Sequence, residues 1–182
     1  MSGSVGDNTA RASGVIASAG GGAILQVKSV EFTGTASNSS STPAAFTGFD
    51  IAFTPTAATS KLFLQLSLMG GSAGYRQGGY FYDSTGGAII GPIGAAAGSR
   101  QRLTFGESDA NGGSCSGMDF LAWFTPGDTT TRTIQVWAAA GGAGTLYINR
   151  NSTDTNNDNI SHARSASTFT ITEYDGSIVT IA

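Results

Sequence analysis

The segment Leu62-Phe63-Leu64-Gln65-Leu66-Ser67-Leu68 decides the fold class. Four leucines occupy alternate positions, with Phe63, Gln65 and Ser67 between them. A period of two puts the leucines on one face of a pleated strand, whereas a helix would spread them around its circumference. The same alternation recurs upstream. Ile24 to Phe32 places Val30 and Phe32 on one face, and Phe49, Ile51 and Phe53 alternate with Asp50 and Ala52.

Downstream, Tyr80 to Tyr82 and Ala88 to Ile90 flank Asp83-Ser84-Thr85-Gly86-Gly87, a hairpin signal. Leu103 and Phe105 alternate with Arg100, Arg102 and Thr104. Met118, Phe120, Ala122 and Phe124 alternate with Asp119, Leu121 and Trp123. Both faces of that strand are apolar, so it is expected to be covered on both sides. Thr125-Pro126-Gly127-Asp128 makes a turn, and Ile134, Val136 and Ala138 then alternate with Gln135 and Trp137. Leu146 with Ile148, Phe169 with Ile171, and Ile178 to Ile181 complete about nine or ten short strands. No segment repeats apolar residues at helical spacing over three turns. The expectation is an all-β chain: a single antiparallel, jelly-roll-like β-sandwich of about eight to ten strands over residues 23–182.

Residues 1–22 precede it as an extended arm, with Val5, Val15 and Ile16 as their only sizeable apolar groups after Met1. Such a segment cannot close a core of its own. It either frays or orders against a neighbour, and Asp7, Asn8, Arg11, Val15 and Ile16 are its candidate attachment residues. Three stretches read as long loops: Thr35 to Pro43, Gly106 to Gly117, and Asn149 to Ser165. Loops of that length usually carry contacts.

Composition narrows the function classes. Ala, Gly, Ser and Thr supply 96 of the 182 residues, which suits close sheet packing. A net charge of −3 with 9 Lys+Arg disfavours nucleic-acid binding by counterion release. No apolar run approaches the roughly 18 residues of a membrane span. Met1 to Asn8 lacks the basic-then-apolar pattern of a secretory leader. One cysteine, Cys115, leaves no internal disulfide framework.

Catalytic patterns are thin. The only imidazole is His162, in a polar loop beside Asp154 and Asp158. Gly113-Ser114-Cys115-Ser116-Gly117 has the spacing of a nucleophile elbow, but that elbow needs a helix after it and Met118 to Phe124 continues as a strand. A glycosidase needs two facing carboxylates, and Asp83, Asp109, Asp128 and Asp175 stand singly in turns. Asp154-Thr155-Asn156-Asn157-Asp158 matches the first three ligand positions of a calcium loop, yet Asn159 and Ser165 stand where Gly and Glu are required. An Asx-rich turn is the simpler reading. One Cys and one His cannot make a structural zinc site. Asn38, Asn151 and Asn159 are chance glycosylation acceptors in Ser/Thr-rich loops. No catalytic residue, metal or cofactor is expected.

Several segments in order carry a resemblance. They are Ile24-Leu25-Gln26-Val27, Phe53-Thr54-Pro55 followed by Thr59-Ser60-Lys61-Leu62-Phe63-Leu64, Met118-Asp119-Phe120-Leu121, Thr129 to Val136, Tyr147-Ile148-Asn149-Arg150, and Thr168-Phe169-Thr170-Ile171-Thr172-Glu173. Over residues 24 to 175 the chain resembles the β-sandwich domain of virion structural proteins of marine and freshwater tailed phages, of the tail-fibre or minor structural type. The resemblance implies a non-enzymatic particle protein and assigns no ligand residues. The expected function is a homotrimeric short tail appendage on the virion exterior, attached by its arm and presenting loops to the host. A head decoration or cement protein is the alternative. A carbohydrate-active enzyme or lectin on the same scaffold is the alternative of a different class. Expected partners are further copies of the chain, other virion proteins and host surface glycans, with neither nucleic acid nor membrane. Tyr75, Tyr80 and Tyr82 are candidate glycan-facing rings, with core packing as their other reading. Trp123 and Trp137 have the parity opposite to the inward groups of their strands and are candidates for a subunit interface, with packing under a loop as the alternative.

Overall fold

The computed structural model describes residues 23–72, 76–108, 115–142, 144–156, 158 and 163–181. The arm candidates Asp7, Asn8, Arg11, Val15 and Ile16 lie outside the described residues, as do Tyr75 and His162. The described residues contain no helix. Twelve strand segments follow in order: β1 (Ile24–Phe32), β2 (Ala36–Asn38), β3 (Ala44–Ala45), β4 (Ile51–Phe53), β5 (Lys61–Ser72), β6 (Arg76–Asp83), β7 (Ala88–Ile90), β8 (Phe105–Ser108), β9 (Ser116–Phe124), β10 (Arg132–Ala140), β11 (Leu146–Ile148) and β12 (Ser167–Tyr174).

The short segments share edges. β11 and β12 pair with successive parts of one edge of β5, and β2 and β1 line up along their far sides. β3 and β4 share one edge of β10, and β7 and β8 share one edge of β6. Eight ribbons result: β1/β2, β3/β4, β5, β6, β7/β8, β9, β10 and β11/β12. The first pairs with the eighth, the second with the seventh, the third with the sixth and the fourth with the fifth. One sheet (sheet I) therefore runs β9, β5, β11/β12, β1/β2, and the other (sheet II) runs β3/β4, β10, β6, β7/β8. A long hairpin rolled on itself gives this order, which is that of a jelly roll. Every pairing is antiparallel, as the alternating pattern requires.

The core forms where the two sheets meet. Leu62, Leu64, Leu66 and Leu68 are buried, as are Phe169 and Ile171 on β12 and Phe81, Ile134 and Val136 on sheet II. Phe81 stacks on Phe169 at 5.4 Å between ring centroids, and Phe105 stacks on Phe120 at 4.0 Å. Each pair links one sheet to the other, and such pairs contribute about 0.5–1.5 kcal/mol beyond their buried area.

Hydrogen-bonded polar groups lie at the two ends of β12, Glu173 at one and Ser167 with Asn149 at the other. Glu173 is fully buried. Its carboxylate accepts from Gln26 Nε2 at 2.6 Å, Thr56 N at 2.6 Å and Thr56 Oγ1 at 3.0 Å. Burial pushes this carboxyl up, but hydrogen bonds from Ser60, Gln26 and Thr56 outweigh it and hold the group below the usual carboxylate range. Asn149, also fully buried, sits at φ 58 just after β11. Its amide donates to the carbonyls of Phe32 and Gly34 at 2.6 and 2.8 Å and accepts from Ser167 Oγ at 2.6 Å.

Four expectations need correction. Gly106 to Gly117 is not all loop, because β8 runs to Ser108 and β9 begins at Ser116. The stretch Thr35 to Pro43 is not all loop, because Ala36–Asn38 forms β2 along β11. Ile178 to Ile181 is not a strand. Asp175 Oδ1 accepts from Ser177 N and Oγ, and the chain turns there. Among the described residues β9 is covered on one face only, since Leu121 is 58% exposed.

Candidate functional site

The sandwich carries two outward-facing ring clusters, one on each sheet. On β9, Met118 and Ala122 turn into the core, which sends Leu121 and Trp123 outward. The register sets Trp123 beside Phe63, Phe63 beside Thr172, and Thr172 beside Val27. That row crosses the whole of sheet I. The Trp123 ring lies 4.6 Å from Phe63 and 5.5 Å from Tyr174 between centroids. Pro92, Leu121 and Ile181 border the same region, a shallow groove of about 560 Å³. Ile181 and Val27 are 41% and 55% exposed, so the patch is open to solvent at both ends.

The second cluster lies on the outer face of sheet II. Phe81 points inward on β6, which sends Tyr80 and Tyr82 outward; on β10 the inward Val136 does the same for Gln135 and Trp137. The register sets Trp137 opposite Tyr80 and Gln135 opposite Tyr82. Ring centroids are 4.3 Å apart for Tyr82 and Trp137 and 6.0 Å apart for Tyr80 and Trp137. A polar chain runs along the edge. Trp137 Nε1 donates to Gln135 Oε1 at 2.9 Å, and Gln135 Nε2 donates to Asp50 Oδ1 at 3.0 Å. Burial, and then the neighbouring Tyr82, push the Tyr80 phenol above its ordinary value, so its hydroxyl keeps its proton at neutral pH.

The two tryptophans singled out together from sequence are thus on opposite faces of the sandwich, and Tyr80 and Tyr82 share a cluster with Trp137. Sequence reading missed Phe63, Ile181, Asp50 and Gln135. Phe63 had a usable signal, because it alternates with the buried leucines of its own strand. Gln135 had the same signal, because it alternates with Ile134 and Val136 in step with Trp137, whereas Asp50 and Ile181 reach their clusters through long-range placement.

Several other chemistry-bearing candidates have structural partners, while Asp109 lies outside the described residues. Asp83 is buried and accepts from Thr85 N, Gly86 N and Arg132 Nη1, and Arg132 also binds Asp128 at 2.8 Å. Asp154 receives both forks of Arg164 at 2.8 Å, and its backbone N–H donates to Asn151 Oδ1, an Asx turn. Its carboxylate faces a guanidinium and not an open cation position. Cys115 is half-buried with its Sγ 3.6 Å from Ser165 Oγ; burial pushes the thiol up and the Ser165 contact lowers it in part. The strand β9 follows directly. Among the described residues no three His, Cys, Asp or Glu side chains converge on a common point.

No family model matches the chain, and no curated protein matches it. Solved structures do. That of infectious bursal disease virus, Gt strain, is 13% identical with a TM-score of 0.43, over 82% of this chain and 37% of that one. The Gx strain structure is 14% identical with a TM-score of 0.40, over 82% and 36%. The VP2 subviral particle of the same virus is 11% identical with a TM-score of 0.37, over 82% and 41%. The chain therefore spans well under half the length of these three structures.

Proposed function

We propose that the chain is a non-enzymatic surface protein of a virus particle, a homotrimeric short tail appendage of fibre type, attached through residues 1–22 and using its outer faces for contact. One observation carries the contact role. Strand β9 is apolar on both sides, yet among the described residues only one is covered, leaving Leu121 58% exposed beside Phe63 and Trp123. Doubly apolar strands are stable when both sides are covered, and contiguous apolar patches rimmed by polar groups mark association surfaces. We assign the cover to a second copy of the chain, with Trp123 as the central ring of the contact. The jelly-roll order supports the particle assignment by analogy, since capsid and lectin domains share it. The phage resemblance of residues 24 to 175 supplies the tail reading.

Deletion of residues 1–22 tests the attachment role. The truncated chain is expected to fold but to be absent from purified particles, and incorporation at the normal level would overturn that role. Loss of the chain is expected to lower adsorption to cells. Normal adsorption with reduced resistance to heat or osmotic shock would favour a head decoration protein instead.

A further inference from the structure

We propose that the Trp137, Tyr80 and Tyr82 cluster, with Asp50 and Gln135 at its edge, binds an uncharged pyranose ring. The proposal rests on the reading of the chain as a contact protein but not on its subunit arrangement. The two outer faces differ in their chemistry. The cluster around Trp123 has apolar neighbours in Phe63, Leu121, Pro92 and Ile181, chemistry that suits another protein surface. The cluster around Trp137 has hydrogen-bonding neighbours. Among the described residues the Tyr80 and Tyr82 hydroxyls have no protein hydrogen bond, and Asp50 accepts only at Oδ1. Gln135 Nε2 uses one of its two N–H groups on Asp50, and its Oε1 is held by the indole.

That arrangement offers half-exposed ring surface together with two phenols, one carboxylate oxygen and one amide N–H. A pyranose presents a C–H face for rings and a girdle of hydroxyls that both donate and accept. Binding sites that recognise such ligands combine apolar lining with a few fixed polar groups. The fixed chain from Trp137 through Gln135 to Asp50 limits the ordering cost on binding. Asp50 disfavours anionic sugars by like charge, so the class is neutral hexoses and N-acetylhexosamines. Farther along the same face, Gly78 and Ala139 follow Tyr80 and Trp137 at two-residue spacing and line a cavity of about 90 Å³.

The two tryptophans provide the test and its control. The ¹⁵N-labelled full chain is titrated with methyl glycosides of glucose, galactose, mannose and N-acetylglucosamine, and with methyl glucuronide as the charged comparison, while both indole N–H signals are followed. At least one glycoside is expected to shift the Trp137 signal saturably and leave Trp123 unmoved. Tyr82→Leu should abolish the shift. Asp50→Ala, at an exposed position, should weaken binding about tenfold, the loss expected for one charge-assisted hydrogen bond. The Trp123 signal reports whether each variant is folded. No saturable Trp137 shift with any of the four, an undiminished response in Tyr82→Leu, or a preference for methyl glucuronide would overturn the proposal. A trimer that binds no sugar would leave the subunit contact standing, and a monomer that binds sugar would support this site while removing that contact.

Discussion

The Tyr82 and Trp137 rings meet at 4.3 Å between centroids on the outer face of sheet II, across the β6–β10 register. The contact is half-exposed, so it organises a surface more than it builds a core. A double-mutant cycle of Tyr82→Leu and Trp137→Leu, measured by chemical denaturation, is expected to give a coupling of about 1 kcal/mol. Additive effects would mean that the rings do not support each other.

Inter-sheet packing should be far more costly to disturb. Phe81 is fully buried against Phe169, and Phe81→Ala is expected to cost about 3–5 kcal/mol in equilibrium unfolding. Leu121→Ala in an isolated subunit should cost under about 1 kcal/mol, because the side chain is mostly in solvent there.

Close approach between strands makes Gly79 irreplaceable. A Cβ at that position would run into the Trp137 carbonyl oxygen and lie 2.6 Å from the Phe105 ring and 2.9 Å from Ala138 Cβ. Gly79→Ala is expected to prevent folding or to lower the denaturation midpoint severely. Gly106→Ala, whose Cβ would meet its nearest atom at an ordinary 3.5 Å, serves as the control. Equal behaviour of the two variants would contradict the β6–β8 and β6–β10 registers.

The Glu173 carboxyl is held below its ordinary range in the folded chain, so the unfolded chain binds its proton first as pH falls. Its contribution is present above the unfolded value of about 4.3 and is lost as pH drops through the lower folded value. Acidification from neutral pH should therefore destabilise the wild type through this group only below about pH 5. Glu173→Gln should be less stable at neutral pH by about 1–3 kcal/mol and lose less stability on acidification. An unchanged pH slope would contradict the network of Gln26, Thr56 and Ser60 around the carboxylate. Asp128 and Asp175, both lowered by surface hydrogen bonds, supply the residual slope.

Local pattern carried the strands well where side chains alternate. Ile24 to Phe32 and the leucines of β5 could be placed directly, and so could the turn through Asp83 and Gly86. It failed where a strand exists only because a neighbour offers an edge. Ala36–Asn38 and Ala44–Ala45 have no apolar alternation and are ordered by β11 and β10. It misled at Ile178 to Ile181, where two isoleucines resemble a strand but the Asp175 side chain turns the backbone and Ile181 joins the groove beside Trp123. For the candidate faces, parity marked Trp123 and Trp137 as outward. Their separation onto opposite sheets depends on β9 pairing with β5 and β10 with β6, which no short-range signal encodes.

The mass of the full chain in solution tests the central claim most directly. Sedimentation equilibrium of the wild type at micromolar concentration is predicted to give three times the 18.3 kDa of one chain. Leu121→Asp, which places a charge in the exposed apolar patch of sheet I, is predicted to give a single folded chain with an unchanged β-sheet dichroism spectrum. A wild type that stays at 18.3 kDa, or a Leu121→Asp variant that assembles as the wild type does, would contradict the assignment of that face to contact between copies.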